Sequence, residues 1–207
     1  MRVIKTVVAA PAIVALGAAV TLLSHQLMAE TEVNAQDAYL DSEKSVLEQA
    51  AKQRIGSFAK ELGGTLKTAL ADGGFPHGVS MCKEKAPGIA AALSTDGWHV
   101  GRTSLKIRNS SNAPDSWEKA VLEGFEQQKA DGAAFSSLVH SEIVEQDGKR
   151  TYRYMQAIRA GEFCLSCHGA SVDPSLVEKI KSEYPSDQAT GFAAGDIRGA
   201  FTITKSL

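Results

Sequence analysis

Residues 135–158 read FSSLVHSEIVEQDGKRTYRYMQAI, and this stretch decides the fold. From Phe135 to Glu145 and again from Arg150 to Ile158, apolar and polar residues alternate on either side of Gln146-Asp147-Gly148. Alternation with a period of two puts the apolar set on one face of a strand, and Asp-Gly supplies the positive φ that a tight turn between two strands requires. The segment predicts a β-hairpin. Outward from it, Trp98 to Arg108 (WHVGRTSLKIR) and Ile197 to Thr204 (IRGAFTIT) carry the same period and predict two more strands.

The segments between them have helical period. Leu40, Val46, Leu47, Ala51, Ile55, Phe58 and Leu62 recur at spacings near three and four with charges between them, an amphipathic helix that Gly63-Gly64 is expected to interrupt. Asp72-Gly73-Gly74 marks a turn, and a second helix is predicted around Pro76 to Leu93. Asp115 and Glu118 have the spacing of a capping box ahead of Val121, Leu122 and Phe125. Asp173-Pro174 starts a short helix ending near Tyr184-Pro185. Helices, strand, helix, hairpin, short helix and strand in that order predict an α+β domain with an antiparallel sheet.

At 207 residues, 43% hydrophobic and 22% charged, the chain has the composition of one ordinary globular domain. A net charge of −2 leaves no excess of Lys and Arg to neutralise a row of phosphates, which argues against nucleic acid as a partner. Met1 to Lys5 is a short basic start, and Thr6 to Leu23 is uncharged; together they read as a secretory signal. Cleavage is expected after Ala29, with Ala35 as the alternative, leaving 36–207 as a single domain. The expected location is the periplasm. An uncleaved N-terminal anchor is the alternative, because the apolar run is near the lower limit for crossing a bilayer.

Cys164-Leu165-Ser166-Cys167-His168 is C-x-x-C-H, the most specific signal in the chain. Two thiols at this spacing can each add to a haem vinyl group, while the adjacent imidazole becomes the proximal ligand of the iron. One covalent haem c is therefore expected, on Cys164 and Cys167, with His168 on the iron. Export supports the reading, since c-type haem is attached after translocation. Competing readings are a disulfide or thioredoxin-like couple, and a Cys₃His zinc site made with Cys82. Cys82 is the leftover thiol. It reads either as a small buried hydrophobe or as a thiolate donor opposite His168, in competition with Met81, Met155, His77, His99 and His140. Arg102, Lys106 and Arg108 fall on one face of the predicted strand, where they could pair with haem propionates or simply be solvated.

Several ordered blocks resemble one family: exported c-type haem proteins with a PAS-like fold, regarded as haem-based redox sensors. The blocks are Cys82-x4-Pro87-x-Ile89-Ala90, Gly101 to Asn109 (GRTSLKIRN), and Asn112-x-Pro114-Asp115-x-Trp117-Glu118. They continue through Cys164 to Gly169, Tyr184-Pro185-x-Asp187-x-Ala189-Thr190-Gly191, and Gly195 to Ala200 (GDIRGA). The resemblance implies a central antiparallel sheet flanked by helices, and His/Cys axial ligation with Cys82 as the distal ligand. The expected function is a redox or small-ligand sensor acting through another protein. An electron-transfer cytochrome is the alternative, and a zinc-binding or disulfide-containing interaction domain a second. Two protein ligands would close the iron to substrate, so no enzyme activity is expected. The apolar face of the N-terminal helix is broad enough to pair with a second copy of the chain.

Overall fold

The computed structural model describes residues 15–207, with side-chain surroundings from residue 41 onward. The basic start and the first part of the apolar run lie outside the described residues, as do the side chains around both expected cleavage sites. No helix among the described residues is long and apolar enough to cross a membrane. The chain divides into a unit spanning residues 1–46, helical where described, and a second unit from residue 47 to the end. Tertiary packing is described for the second unit.

A four-stranded antiparallel sheet forms its centre, from β1 (Trp98–Thr103), β2 (Val139–Gln146), β3 (Lys149–Arg159) and β4 (Ile197–Ser206) in the spatial order β1-β4-β3-β2. β2 and β3 are the expected hairpin, paired from Gln146↔Lys149 to Val139↔Gln156, with Asp147 and Gly148 at φ 53° and 70° in the turn. Residues 135–137 do not extend β2; they form a 3₁₀ turn ahead of it.

Helices cover both faces. The long helix α1 (Ala15–Leu93) is broken at Gly73 (φ −152°, ψ 19°) and Gly74 (φ 67°, ψ −165°), where the sequence predicts a turn. Beyond the break the helix doubles back: a Cβ on Gly78 would sit 3.0 Å from Leu70 and 3.1 Å from Leu66. Ala51, Ile55 and Phe58 before the break and Ile89 after it bury against Trp98, Val100, Tyr152, Tyr154 and Ile203. The helix runs through Gly63-Gly64 without interruption, contrary to the sequence expectation. Each glycine costs roughly 1 kcal/mol of helix propensity, and the packing of Leu62 against this core outweighs it. Val46, expected on the buried stripe, is 65% exposed, while its neighbour Leu47 packs inward.

On the opposite face lies α2 (Ser116–Ala130), whose Leu122 and Phe125 pack on Met155, Ala157, Ile197 and Ala200. Its expected capping box is present: the Glu118 amide donates to the Asp115 carboxylate at 2.8 Å, and the Asp115 amide donates to the Glu118 carboxylate at 3.1 Å. The C-x-x-C-H run forms a 3₁₀ turn over Glu162–Cys164 and one helical turn, α3 (Leu165–His168), followed by α4 (Pro174–Glu183) capped by Asp173.

β1 is shorter than its sequence pattern. It ends at Thr103, opposite Ala200, because the partner strand turns away at Gly199 and Ser104 Oγ donates to the Arg198 carbonyl. Lys106 and Arg108 therefore lie in a loop beyond the strand and do not share a strand face with Arg102. Gly199 has φ 151°, and a Cβ there would meet the Thr103 carbonyl at 2.3 Å. Gly199→Ala is expected to destabilise the protein by about 3 kcal/mol through backbone strain and displacement of β1, read as a lowered urea midpoint with an unchanged slope.

Candidate functional site

The chain folds so that Cys82, Arg102, Arg108, Cys164, Cys167, His168, Tyr184 and Arg198 form a linked set, each within electrostatic range of others in it. Cys82 lies on the returning segment of α1, close enough to Arg102, Arg108, Cys167 and Tyr184 for their charges to act on one another. All three cysteines are half-buried and unpaired, so no disulfide joins Cys164 to Cys167. Burial pushes the Cys82 thiol up from its ordinary range, and the positive charges of Arg102 and Arg108 oppose that rise. Cys167 is raised for the same first reason, and is opposed by Arg108.

His168 is the most strongly perturbed base. Burial, reinforced by Arg198 and Arg108, pushes its pKa down to about 3, against a hydrogen bond with the Ala189 carbonyl that raises it. The ring is therefore neutral, as a metal ligand must be. Two groups address its Nδ1: the Ala189 carbonyl at 2.7 Å and the Arg198 Nε at 3.3 Å. A carbonyl requires a proton on Nδ1, and a guanidinium requires a lone pair there, so both cannot bond it at once. The shorter contact decides. Nδ1–H donates to Ala189, leaving the Nε2 lone pair free. Phe192 stands edge-on to the imidazole, 6.4 Å between ring centroids.

The loop that carries Ala189 is bound to the motif along its backbone. The Gly191 amide donates to the Gly169 carbonyl and the Phe192 amide to the His168 carbonyl, both at 3.0 Å. Arg108 closes this arrangement. Its Nε and Nη2 form a fork on Asp187 at 2.9 and 3.3 Å, and Nη2 also donates to the Cys167 carbonyl at 2.7 Å and to the Ala189 carbonyl at 3.3 Å. Arg198 donates to Ser104 Oγ and the Lys106 carbonyl, and burial together with Arg108 and Arg102 lowers its pKa to about 10. The Arg102 guanidinium has no hydrogen-bond partner among the described residues; it lies 5.3 Å over the Phe58 ring. Lys106 is exposed, reaches the Thr190 carbonyl at 3.5 Å and lies 5.1 Å over Phe192.

The returning segment of α1 is fastened to α4 on both sides of Cys82. Ser80 Oγ and Lys83 Nζ donate to the two oxygens of Glu183 at 3.0 and 3.1 Å, and Lys179 donates to it as well. These bonds hold the Glu183 carboxyl at about 2. Beneath them Val79 packs with Leu176, Ile180 and Tyr184, against Cys167.

Among the other sixth-ligand candidates, His77, His99 and His140 are exposed, and Met155 is fully buried in the α2-side core. Met81 is half-buried beside Cys82. Among the described residues no group of three or more His, Cys, Asp or Glu is placed to hold a metal ion, so Cys82, Cys164, Cys167 and His168 do not form a tetrahedral zinc set. A cavity of about 260 Å³ lined by Ser104, Lys106, Leu122 and Phe192 reaches none of these four residues. It is also smaller than the roughly 300–1,000 Å³ usual for ligand pockets.

Sequence reasoning gave no role to Asp187, Ala189, Arg198 or Glu183. The first three stand in the blocks DQAT and DIRG, where a carboxylate and an arginine near the motif were the available signals.

A family model described as Tll0287-like, Tll0287, matches residues 25–206. Among solved structures, the crystal structure of the cyanobacterial heme-protein Tll0287 is similar, with 25% identity and a TM-score of 0.50 over 81% of this chain and 94% of that one. No curated protein matches the chain.

In the isolated chain, the His168 ring should stay unprotonated at pH 5, where an ordinary imidazole is mostly charged; NMR titration of the ring reads this directly. The unfolded state binds a proton below about 6.5 that the folded state refuses, so this residue lowers stability as pH falls from 6.5 towards 3. His168→Gln should flatten that part of the stability profile.

Proposed function

The chain belongs to the Tll0287-like family, and on that premise we propose that it is an exported, mono-haem c-type protein acting as a redox sensor in the periplasm. The observation that supports this is that Cys82, from a helix distant in sequence, lies within electrostatic range of Cys167, the residue before the neutral imidazole of His168, and shares Arg102 and Arg108 with that imidazole as charged neighbours.

The residues fit the group in three respects. His168 has its Nδ1 engaged and its Nε2 free, the arrangement that a ligating histidine uses. Phe163, next to Cys164, is 60% exposed and pairs with Phe75, 38% exposed, at 6.4 Å between centroids; a porphyrin would cover such an apolar pair. Arg102 and Arg198 bring positive charge into the site without a carboxylate bonded to either, a surplus that two propionates would neutralise.

When bound, haem supplies an iron centre that accepts and returns one electron. Cys164 and Cys167 would hold it through thioethers, His168 Nε2 would be the proximal donor and Cys82 Sγ the distal one. Arg102, Lys106 and Arg198 are the candidates for the propionates. Arg108 is a poorer one, because its fork is filled by Asp187 and two carbonyls. With His168 and Cys82 both holding the iron, no coordination position would be left open to a substrate, and on this reading the chain would not be an enzyme.

A sensor needs an element whose position follows ligation. The segment bearing Cys82 starts at the Gly73–Gly74 break and is held to α4 by Ser80 and Lys83 on Glu183, which suits that role. Uncoordinated, Cys82 stays a neutral thiol, since burial opposes its ionisation.

The test is the intact mass and alkaline pyridine spectrum of protein exported through a c-type maturation system. One covalent haem per chain is expected, and its loss in Cys164→Ala/Cys167→Ala. A wild-type chain at its unmodified mass contradicts the reading.

A further inference from the structure

Arg108 and Asp187 do more than neutralise each other. The pair is buried, with 12% and 8% of the two side chains exposed. Three further hydrogen bonds run from it to two stretches of backbone, at Ala189 and at Cys167. Asp187 Oδ1 accepts from the Ala189 amide at 3.0 Å, Arg108 Nη2 donates to the Ala189 carbonyl, and the same Nη2 donates to the carbonyl of Cys167, the residue before His168. Ala189 itself is fully buried, so its peptide has no water to turn towards. Its carbonyl is the acceptor for His168 Nδ1.

The two residues thus fix the donor's backbone on one side and the acceptor's peptide on the other. We propose that Arg108 and Asp187 are positioning residues for His168, setting its tautomer and ring orientation through the Ala189 carbonyl so that Nε2 is presented in one fixed direction. The consequence for a metal rests on the function proposed above; the positioning of the ring does not. Geometry sets which substitutions fail. A planar guanidinium can fork onto a carboxylate while reaching two carbonyls, and the single ammonium of lysine cannot. Asparagine keeps the shape of Asp187 but replaces one acceptor oxygen with a donor facing Arg108.

The experiment is ¹⁵N-edited NMR of the His168 ring, made on the full exported chain as purified and in the reduced state. The wild type should carry its ring proton on Nδ1, in slow exchange with solvent. Arg108→Lys and Asp187→Asn should each speed that exchange at least tenfold, or populate the second tautomer, while the amide spectrum of β3 and β4 is retained. A merely structural role would lower the melting temperature of both variants and leave the ring signal unchanged, which overturns the proposal. A wild-type ring protonated on Nε2 overturns it without any variant. Haem content, measured on the same samples, separates the two claims: wild-type protein without haem defeats the proposed function, and unchanged ring exchange defeats the positioning role.

Discussion

The Arg108–Asp187 ion pair is the contact on which the site depends, because it joins three segments that are far apart in sequence. It ties the loop after β1 to the motif at Cys167 and to the loop carrying Ala189. Desolvating two charges largely cancels their attraction, so such a pair adds little net stability; removing one partner leaves a buried charge and costs about 3–5 kcal/mol. Its worth lies in specification. With Nε and Nη2 of Arg108 and both oxygens of Asp187 committed, one arrangement of the loop around His168 is favoured over its neighbours.

Charge explains much of the rest. Arg102, Arg108 and Arg198 are near enough to raise or lower one another and the groups between them. Only Arg108 has its own carboxylate. Burial, reinforced by Arg198 and Arg108, keeps the imidazole neutral, while Arg102 and Arg108 partly offset the burial that disfavours a Cys82 thiolate. Arg102 and Arg198 stand in this half-buried place without a carboxylate bonded to either. On the proposed reading, the cofactor brings both the missing negative charge and the apolar face that Phe75 and Phe163 leave uncovered.

Much of this fold was legible from local chemistry. The hairpin was readable because period-two alternation and Asp147-Gly148 are local signals, and the capping box of α2 because Asp115 and Glu118 need only each other. The C-x-x-C-H run is equally local. What alternation could not reveal was where β1 would lose its partner: the pattern continues to Arg108, but the hydrogen-bonding strand turns away at Gly199. The Gly63-Gly64 pair misled because propensity is a weak term beside the burial of Leu62 and the helix around it. Asp187, Ala189 and Glu183 act through backbone groups and through residues a hundred positions away, and no sequence period marks such partners.

The family relation and the fold bring Cys82 within electrostatic range of Cys167, and the proposed function turns on that thiol. The most direct measurement is the electron paramagnetic resonance and optical spectrum of the ferric protein, wild type against Cys82→Ala. The account predicts a low-spin thiolate-ligated signature in the wild type that is lost in Cys82→Ala while covalent haem is retained. Identical ferric spectra for the two proteins would contradict it and leave Cys82 as a buried thiol beside the site.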